Sequence, residues 1–363
     1  MYYLMSRISQ KELARRLGVS QATVSGVLNN HPSIRVAEKT RERILAAIRE
    51  TDYQPNRIAN AVFNRTSRTV GVIYQGGFVQ LGVKKLAAVV KELVASEYLP
   101  LVYELLPYME GSSQCQLLCD MKVQGVIVIN ASYPFMYDTY PRFLKGKVNV
   151  VAVDSPWEPH LHQVHSDRLQ GFGILTEHLI AKGHRKIAVL ASRVPSQGGD
   201  SPYTQSFGIL HGVRKALGEA GLSPEGVEIF DSTGKGAPNW GDPYLPGMIT
   251  MGRLLDKGCR PDAVIASSDS WAIGAMRECA RRGLRVPEDL AIVGFNDDVQ
   301  AEYAASPLTT VAPPVEEMAR IAVAKVSEPF SEKEEGSHVT LLPCRLVVRE
   351  SCGRPNASSL KEV

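Results

Sequence analysis

The chain predicts an N-terminal all-α helix-turn-helix head followed by an α/β body of two doubly wound parallel-sheet lobes. Three observations carry this. Ser9–Asn30, SQKELARRLGVSQATVSGVLNN, reads as two short helices about a glycine turn. From residue 70 onward, apolar runs of strand length alternate with segments of helical periodicity. The charge is also uneven. The whole chain carries +3, but residues 1–69 hold ten Arg and two Lys against four Glu and one Asp, a net +7 that leaves −4 on the rest.

In the head, Ser9 and Glu12 form the S-x-x-E capping box that closes orphan N–H groups at a helix start. Leu13, Ala14 and Leu17 follow at helical spacing, Gly18 turns the chain, and Val19 plugs the angle between the helices. Ser20 caps the second helix, Gln21–Leu28. Its Val24, Val27 and Leu28 point inward and leave Gln21, Ala22, Ser25 and Gly26 on the outer face. A helix presented this way fits a DNA major groove. A plain helical hairpin is the competing reading, and a basic end on a mildly acidic chain favours the polyanion partner. A third helix is expected over Val36–Glu50, with Ile44, Leu45 and Ile48 as its core stripe. Asn56–Phe63 has helical spacing but is too short to stand alone, so it is expected to fold on binding.

In the body, strands are expected at Val70–Tyr74, Leu99–Glu104, Gly125–Asn130 and Val148–Asp154, with helices Gly82–Ser96 and Cys115–Met121 between them. The rhythm repeats with helix Asp167–Lys182, strand Lys186–Ala191, helix Gln205–Ala220, strand Val227–Phe230 and helix Gly247–Leu255. Strand Ala263–Ser267, helix Ser270–Arg282 and strand Ala291–Gly294 complete it. Two such lobes place a ligand at the carboxyl ends of the strands, in the crevice between them. His160, His162 and His165 read as a solvated loop rather than a metal site. The six Cys are scattered and read as reduced and buried or incidental. No apolar run reaches the ~20 residues of a membrane helix, and MYYLM is too short for a signal-peptide core, so the expected location is the cytoplasm. No P-loop, G-x-G-x-x-G after a strand, G-x-S-x-G elbow or metal motif is present. Neither catalysis nor a cofactor is expected.

Longer matches add specificity. They are GVSQATVSGVLN at Gly18–Asn29, KTRERI at Lys39–Ile44, YQPNRIA at Tyr53–Ala59 and TEHLIAKGHRKIAVL at Thr176–Leu190. AVIASSD at Ala263–Asp269, GLRVPEDLAIVGFNDD at Gly283–Asp298, SPLTTV at Ser306–Val311 and LVVRESCG at Leu346–Gly353 complete the set. Their order and spacing, over about residues 7–353, resemble the LacI family of bacterial transcription repressors. The resemblance implies a homodimer on a near-palindromic double-stranded operator, controlled by a small-molecule effector of the carbohydrate class. It implies a body like the periplasmic sugar-binding proteins, crossed three times by the chain, near Val164–His165, Asn296–Asp298 and within Ser327–His338. The implied divisions are a head (1–55), a hinge (56–69), a first lobe (70–165 with 299–328), a second lobe (166–298 with 329–353) and a tail (354–363). The tail lacks the Leu heptads of a tetramerising coiled coil. Helix Leu86–Leu93 and the matching second-lobe surface are the candidate dimer contacts.

By the same resemblance, Ser20, Thr23, Ser25 and Asn29 position the second helix on phosphates. Gln21, Ala22 and Gly26 match base-reading positions: Gln21 suits an adenine edge and Ala22 a thymine methyl. Gly26 departs from the Arg many members carry. In the hinge, Asn56 and Arg57 begin the segment that meets the minor groove, Ala59 allows close approach, and Val62 stands where many members wedge a Leu. Packing between two hinge helices is the competing role. The effector positions are Asp269, Asn296, Gln75, Phe78, Asp154, Trp157 and Trp240. For the two Trp, stacking on a sugar face competes with loop packing. Ile209 falls where many members carry an Arg, with Tyr203 and Gln205 as nearby substitutes. A solute-binding receptor with no gene-regulatory role is the alternative reading.

Overall fold

The computed structural model describes residues 8–28, 36–51, 68–74, 80–105, 112–130, 141–155, 161–193, 205–231, 242–330 and 338–353 of the 363. The chain divides into two units, Met1–Ser67 and Arg68–Val363.

The first unit is a three-helix head, α1 (Gln10–Leu17), α2 (Gln21–Leu28) and α3 (Glu38–Glu50). Leu13 and Ala14 of α1, Val24 and Val27 of α2 and Ile44 of α3 form its core. The Ser9 hydroxyl accepts the Glu12 N–H at 3.2 Å, which is the first half of the capping box. The second half is replaced: the Glu12 carboxylate takes Arg15 at 2.7 and 2.8 Å and Arg16 at 3.2 Å. Those bonds pull the Glu12 pKa down to about 2. Gly18 closes α1 with φ +65°, and the N–H groups of Gly18 and Val19 return to Arg15 and Ala14. A side chain there would strain the left-handed turn. Arg43 of α3 donates to the Leu17 carbonyl at 3.1 Å, tying α3 to the end of α1. The expected α3 stripe needs one correction. Ile44 is buried, but Leu45 is 39% exposed, because consecutive helical residues are rotated by ~100° and only one can face the small core.

The second unit holds two parallel sheets. The first has the order β11-β5-β4-β3-β1-β2. Its strands are β1 (Thr69–Tyr74), β2 (Leu99–Glu104), β3 (Gly125–Ile129), β4 (Asn149–Val153), β5 (His162–Ser166) and β11 (His338–Leu342). Helix α4 (Gln80–Ala95) covers one face together with α11 (Val315–Val326), through Val89, Leu93, Met318, Ala322 and Val326. Helix α5 (Ser112–Asp120) covers the other with Phe143 and Leu161. Alternate residues of β3, Val126 and Val128 against Ile127 and Ile129, feed the two cores, so a strand buried on both faces reads as an unbroken apolar run. Within Leu86–Leu93, Val89 and Leu93 are spent on this core. Among the described side chains of α4, the exposed apolar ones are Val83 and Val94.

The second sheet, β7-β6-β8-β9, comprises β6 (Ile187–Arg193), β7 (Gly226–Asp231), β8 (Ala263–Ala266) and β9 (Ala291–Val293). One face carries α6 (Arg168–Ala181) and α7 (Gln205–Glu219), the other α8 (Leu245–Asp256) and α9 (Asp269–Arg281). The short helix α10 (Val299–Glu302) follows β9. A small antiparallel pair, β10 (Thr310–Ala312) with β12 (Arg345–Val347), packs on the same core through Val311 and Leu346.

Two expectations are corrected here. The stretch read as a solvated histidine loop contains β5, with His162 and His165 buried. His160 lies outside the described residues, and no group of His, Cys, Asp or Glu among the described residues is arranged to hold a metal ion. The lobe boundaries also move. Ala301 and Leu308 pack in the second-lobe core and Val311 beside Phe172 and Phe295, so residues 299–312 belong to the second lobe. β11 pairs with β5 in parallel, so 338–342 belong to the first. The chain therefore crosses just after Ser166, between Ala312 and Val315, and between Leu342 and Cys344.

Candidate functional site

In the head, α2 is seated by its buried Val24 and Val27, which leaves Gln21 and Ala22 exposed and Thr23 and Ser25 half-buried. The Ser20 hydroxyl accepts the Thr23 N–H at 3.0 Å and pairs with the Thr23 hydroxyl at 2.8 Å, which fixes the start of α2. Gly26 is buried, not on the outer face as its spacing suggests. A glycine offers only backbone, and the helix covers its own backbone.

In the body, polar residues gather at the carboxyl ends of the strands. Asn130 follows β3, Asp154 follows β4, and Asn296 and Asp297 follow β9. All four have positive φ: 53°, 43°, 121° and 53°. Asn and Asp tolerate this region better than other side chains. In the first lobe, Lys85 of α4 reaches Asp154 at 2.5 Å and donates to Asn130 Oδ1 at 2.8 Å. Asp154 also accepts the Ser166 N–H at 2.9 Å and its hydroxyl at 3.1 Å. His165 stands 3.7 Å from the same carboxylate and pairs with Gln163 at 3.1 Å. Burial pushes the Asp154 pKa upward, but Lys85, His165 and Arg168 outweigh it and hold the carboxyl well below its usual range. Burial also lowers the Lys85 pKa, against the pull of Asp154.

In the second lobe, Ser268 caps α9 by accepting the Trp271 N–H at 3.3 Å, and Asp269 is fully buried. Its oxygens are taken by the Thr310 hydroxyl at 2.5 Å and the Asp298 N–H at 2.7 Å. The expectation that Asp269 offers its carboxylate to a ligand is thus corrected: it fastens the turn after β9, and β10, to α9. Asn296 is 2% exposed, with its Oδ1 lacking a hydrogen-bond donor among the described residues. Arg349 pairs with Asp297 at 2.8 Å, and Lys84 of α4 donates to the Asp297 carbonyl at 3.2 Å, a direct bond between the lobes. Ile209, aligned with an Arg in many relatives, is buried in the second-lobe core.

Burial, then the neighbouring Asp298 charge, raises the Asp269 pKa to about 7. Burial raises Asp298 to about 6. Folded Asp269 holds its proton far above its ordinary 3.8. Its contribution to stability is present in acid and lost as the pH rises through about 7. Asp298 acts in the same direction, and Asp154 has completed its titration below this window. In Asp269→Asn the amide accepts from Asp298 N–H and donates to a turned Thr310 hydroxyl. The fall in melting temperature from about pH 5 to about pH 8 is expected to shrink by a few degrees. Thermal melts across that range check this, and an unchanged slope contradicts it.

Asn29, Asn56, Arg57, Ala59, Val62, Gln75, Phe78, Trp157, Tyr203 and Trp240 lie outside the described residues. Gln205 begins α7. Sequence reasoning missed Lys85, Asn130, His165, Ser166, Arg168, Thr310 and Asp298. For Asn130 a signal existed, a polar residue closing GVIVIN as Asp154 closes VNVVAVD. For Lys85, one base among several on α4, there was none.

A basic helix-turn-helix head and a two-lobed α/β body with a polar cluster where its lobes meet define a ligand-responsive DNA-binding regulator. The family model described as "Bacterial regulatory proteins, lacI family" matches residues 9–56. That of the periplasmic binding protein-like domain matches residues 176–352. The transcriptional regulator CelR of Thermobifida fusca is 31% identical over 353 residues, covering 93% of this chain and 96% of CelR. The ribose operon repressor of Haemophilus influenzae is 26% identical over 351 residues, covering 94% and 98%. Among solved structures, the lac repressor dimer bound to operator and the anti-inducer ONPF matches 96% of this chain and 100% of its own, with TM-score 0.79 and 24% identity. A CelR–cellobiose complex matches 95% and 100%, with TM-score 0.65 and 27% identity. The chain belongs to the LacI family of bacterial regulatory proteins, and it is an effector-controlled, DNA-binding transcription regulator.

Proposed function

We propose that the chain is a homodimeric repressor that grips operator DNA through paired heads and is switched by a carbohydrate-type effector held where the two lobes meet. The observation that carries this is the α2 face, with Gln21 and Ala22 exposed on a helix anchored by buried Val24 and Val27 within a strongly basic segment. Gln21 and Ala22 read base edges. Ser20, Thr23, Ser25 and Asn29 hold phosphates. Asn56, Arg57, Ala59 and Val62 form the hinge that meets the minor groove. Gln75, Phe78, Asp154, Trp157, Tyr203, Gln205, Trp240 and Asn296 surround the effector, with Asp269 holding the turn after β9 behind them. The ribose operon repressor and the cellobiose-bound CelR support the carbohydrate class. The relatives named are regulators rather than enzymes, and no reaction is assigned to this chain. No helix among the described residues is long and apolar enough to cross a membrane, and we assign the protein to the cytoplasm. The bond from Lys84 to the Asp297 carbonyl changes with lobe geometry and so couples effector to head; a coupling of ~1–3 kcal/mol suffices.

Fluorescence anisotropy against genomic operator fragments tests the reading. Log affinity is expected to fall steeply and linearly with log salt. Gln21→Ala is expected to weaken the preferred site roughly tenfold without changing that slope. A flat salt response, or a Gln21→Ala chain with unaltered site preference, sinks it.

A further inference from the structure

Arg168 is the anomaly of the body. It opens α6 immediately after the first crossover, and it is 8% exposed. Its guanidinium carbon lies 5.0 Å from the centroid of the Phe295 ring, just beyond β9. Nη1 is buried with no hydrogen-bond acceptor among the described residues. Helix α7 passes so close that a Cβ at Gly208 would meet Arg168 Cβ at 2.6 Å, so the stem of the side chain is held.

The neighbouring anions are committed elsewhere. Asp154 is bound to Lys85 and Ser166. Asp167 caps α6 by accepting the Gln170 N–H at 2.9 Å. Cys344 remains a thiol, its pKa pushed by burial to about 12. Lys85, Arg168 and Asp154 lie within electrostatic reach of one another, so two cations share one carboxylate. A buried guanidinium that shares its counter-ion with a second cation and leaves a donor unused is costly for a fold to carry. Orphaned buried polar atoms mark positions whose partner arrives from outside. The turn after β9 and the start of α10 supply the complementary vacancies. Asn296 Oδ1, Asp298 Oδ1 and Gln300 Oε1 are buried acceptors with no donor among the described residues.

We propose that the effector is an anionic sugar derivative, whose acidic group pairs with Arg168 and whose hydroxyls donate to the acceptors at Asn296 and Asp298. This rests on the effector-controlled reading above and narrows its ligand class. A planar guanidinium suits a carboxylate or phosphate, and hydroxyl donors are what the orphaned oxygens lack.

The test uses the full-length chain in thermal-shift and calorimetric titrations at matched ionic strength. One panel is gluconate, glucuronate and glucose 6-phosphate; the other is glucose, ribose and cellobiose. Carboxylates and phosphate within the first panel separate the two sources of the acidic group. The expected result is binding within the acidic panel, weakened roughly 10- to 100-fold in Arg168→Met. Ligand-free Arg168→Met is expected to melt at or above the unaltered chain, because one of two buried cations sharing a single carboxylate is gone. Binding by the neutral panel alone overturns the anionic class and leaves the effector reading standing. Binding by neither panel overturns both. Acid binding that survives Arg168→Met, or a ligand-free variant melting more than about 5 °C lower, shows that Arg168 serves the fold instead.

Discussion

Asp154→Asn is expected to cost the body about 3–5 kcal/mol, the usual loss when one member of a buried ion pair is removed. The amide keeps the shape of the carboxylate and can still accept the Ser166 N–H now made at 2.9 Å. The loss is therefore one of charge. Lys85 is 1% exposed, and without Asp154 its ammonium retains only the Asn130 oxygen at 2.8 Å while facing Arg168. Adding Lys85→Met removes one of the two stranded cations, so the double variant is expected to recover much of the loss. A double-mutant cycle by urea denaturation measures the coupling. An additive cycle, or a near-neutral Asp154→Asn, would show that the pair is not what holds the carboxyl ends of β3, β4 and β5 together.

Gly247→Ala and Gly274→Ala are each expected to destabilise the second lobe by roughly 3 kcal/mol or more. Helices α8 and α9 cross backbone to backbone. A Cβ at Gly247 would run into the Trp271 carbonyl, and one at Gly274 into the Tyr244 carbonyl, both well inside van der Waals contact. Neither obstacle is a side chain that can rotate away, so the helices must part, and Met251, Leu254, Ala272 and Ala275 lose packing with them. The contrast is Gly218→Ala on α7, where a Cβ meets nothing within 4 Å. That change is expected to stabilise slightly, by helix propensity. Equal melting temperatures for Gly247→Ala and Gly218→Ala would refute the close crossing.

The elements that the sequence placed well share one property: their pattern is local. The capped turn at Gly18, the apolar stripe of α2 and the run GVIVI in β3 each bury a face that neighbouring residues alone define. HQVHS of β5 has no such pattern. Its residues are buried because Gln163 pairs with His165 and Ser166 with Asp154, partners up to twelve positions away. Lobe membership failed for the same reason. Whether Leu308 or Leu342 packs with one sheet or the other is settled by which strand the crossover joins.

By itself the amino-acid order determined a basic helix-turn-helix head, the β-α alternation of the body and the family, since periodicity, caps and charge are properties of contiguous residues. Only the tertiary structure decided that Asp269 is a buried fastener, that Lys85 neutralises Asp154, and that Arg168 shares Asp154 with Lys85 and keeps Nη1 without an acceptor among the described residues. A charge is paired or stranded according to what lies within a few ångströms, and here Asp269 finds its partners 29 and 41 positions away and Lys85 its carboxylate 69 positions away.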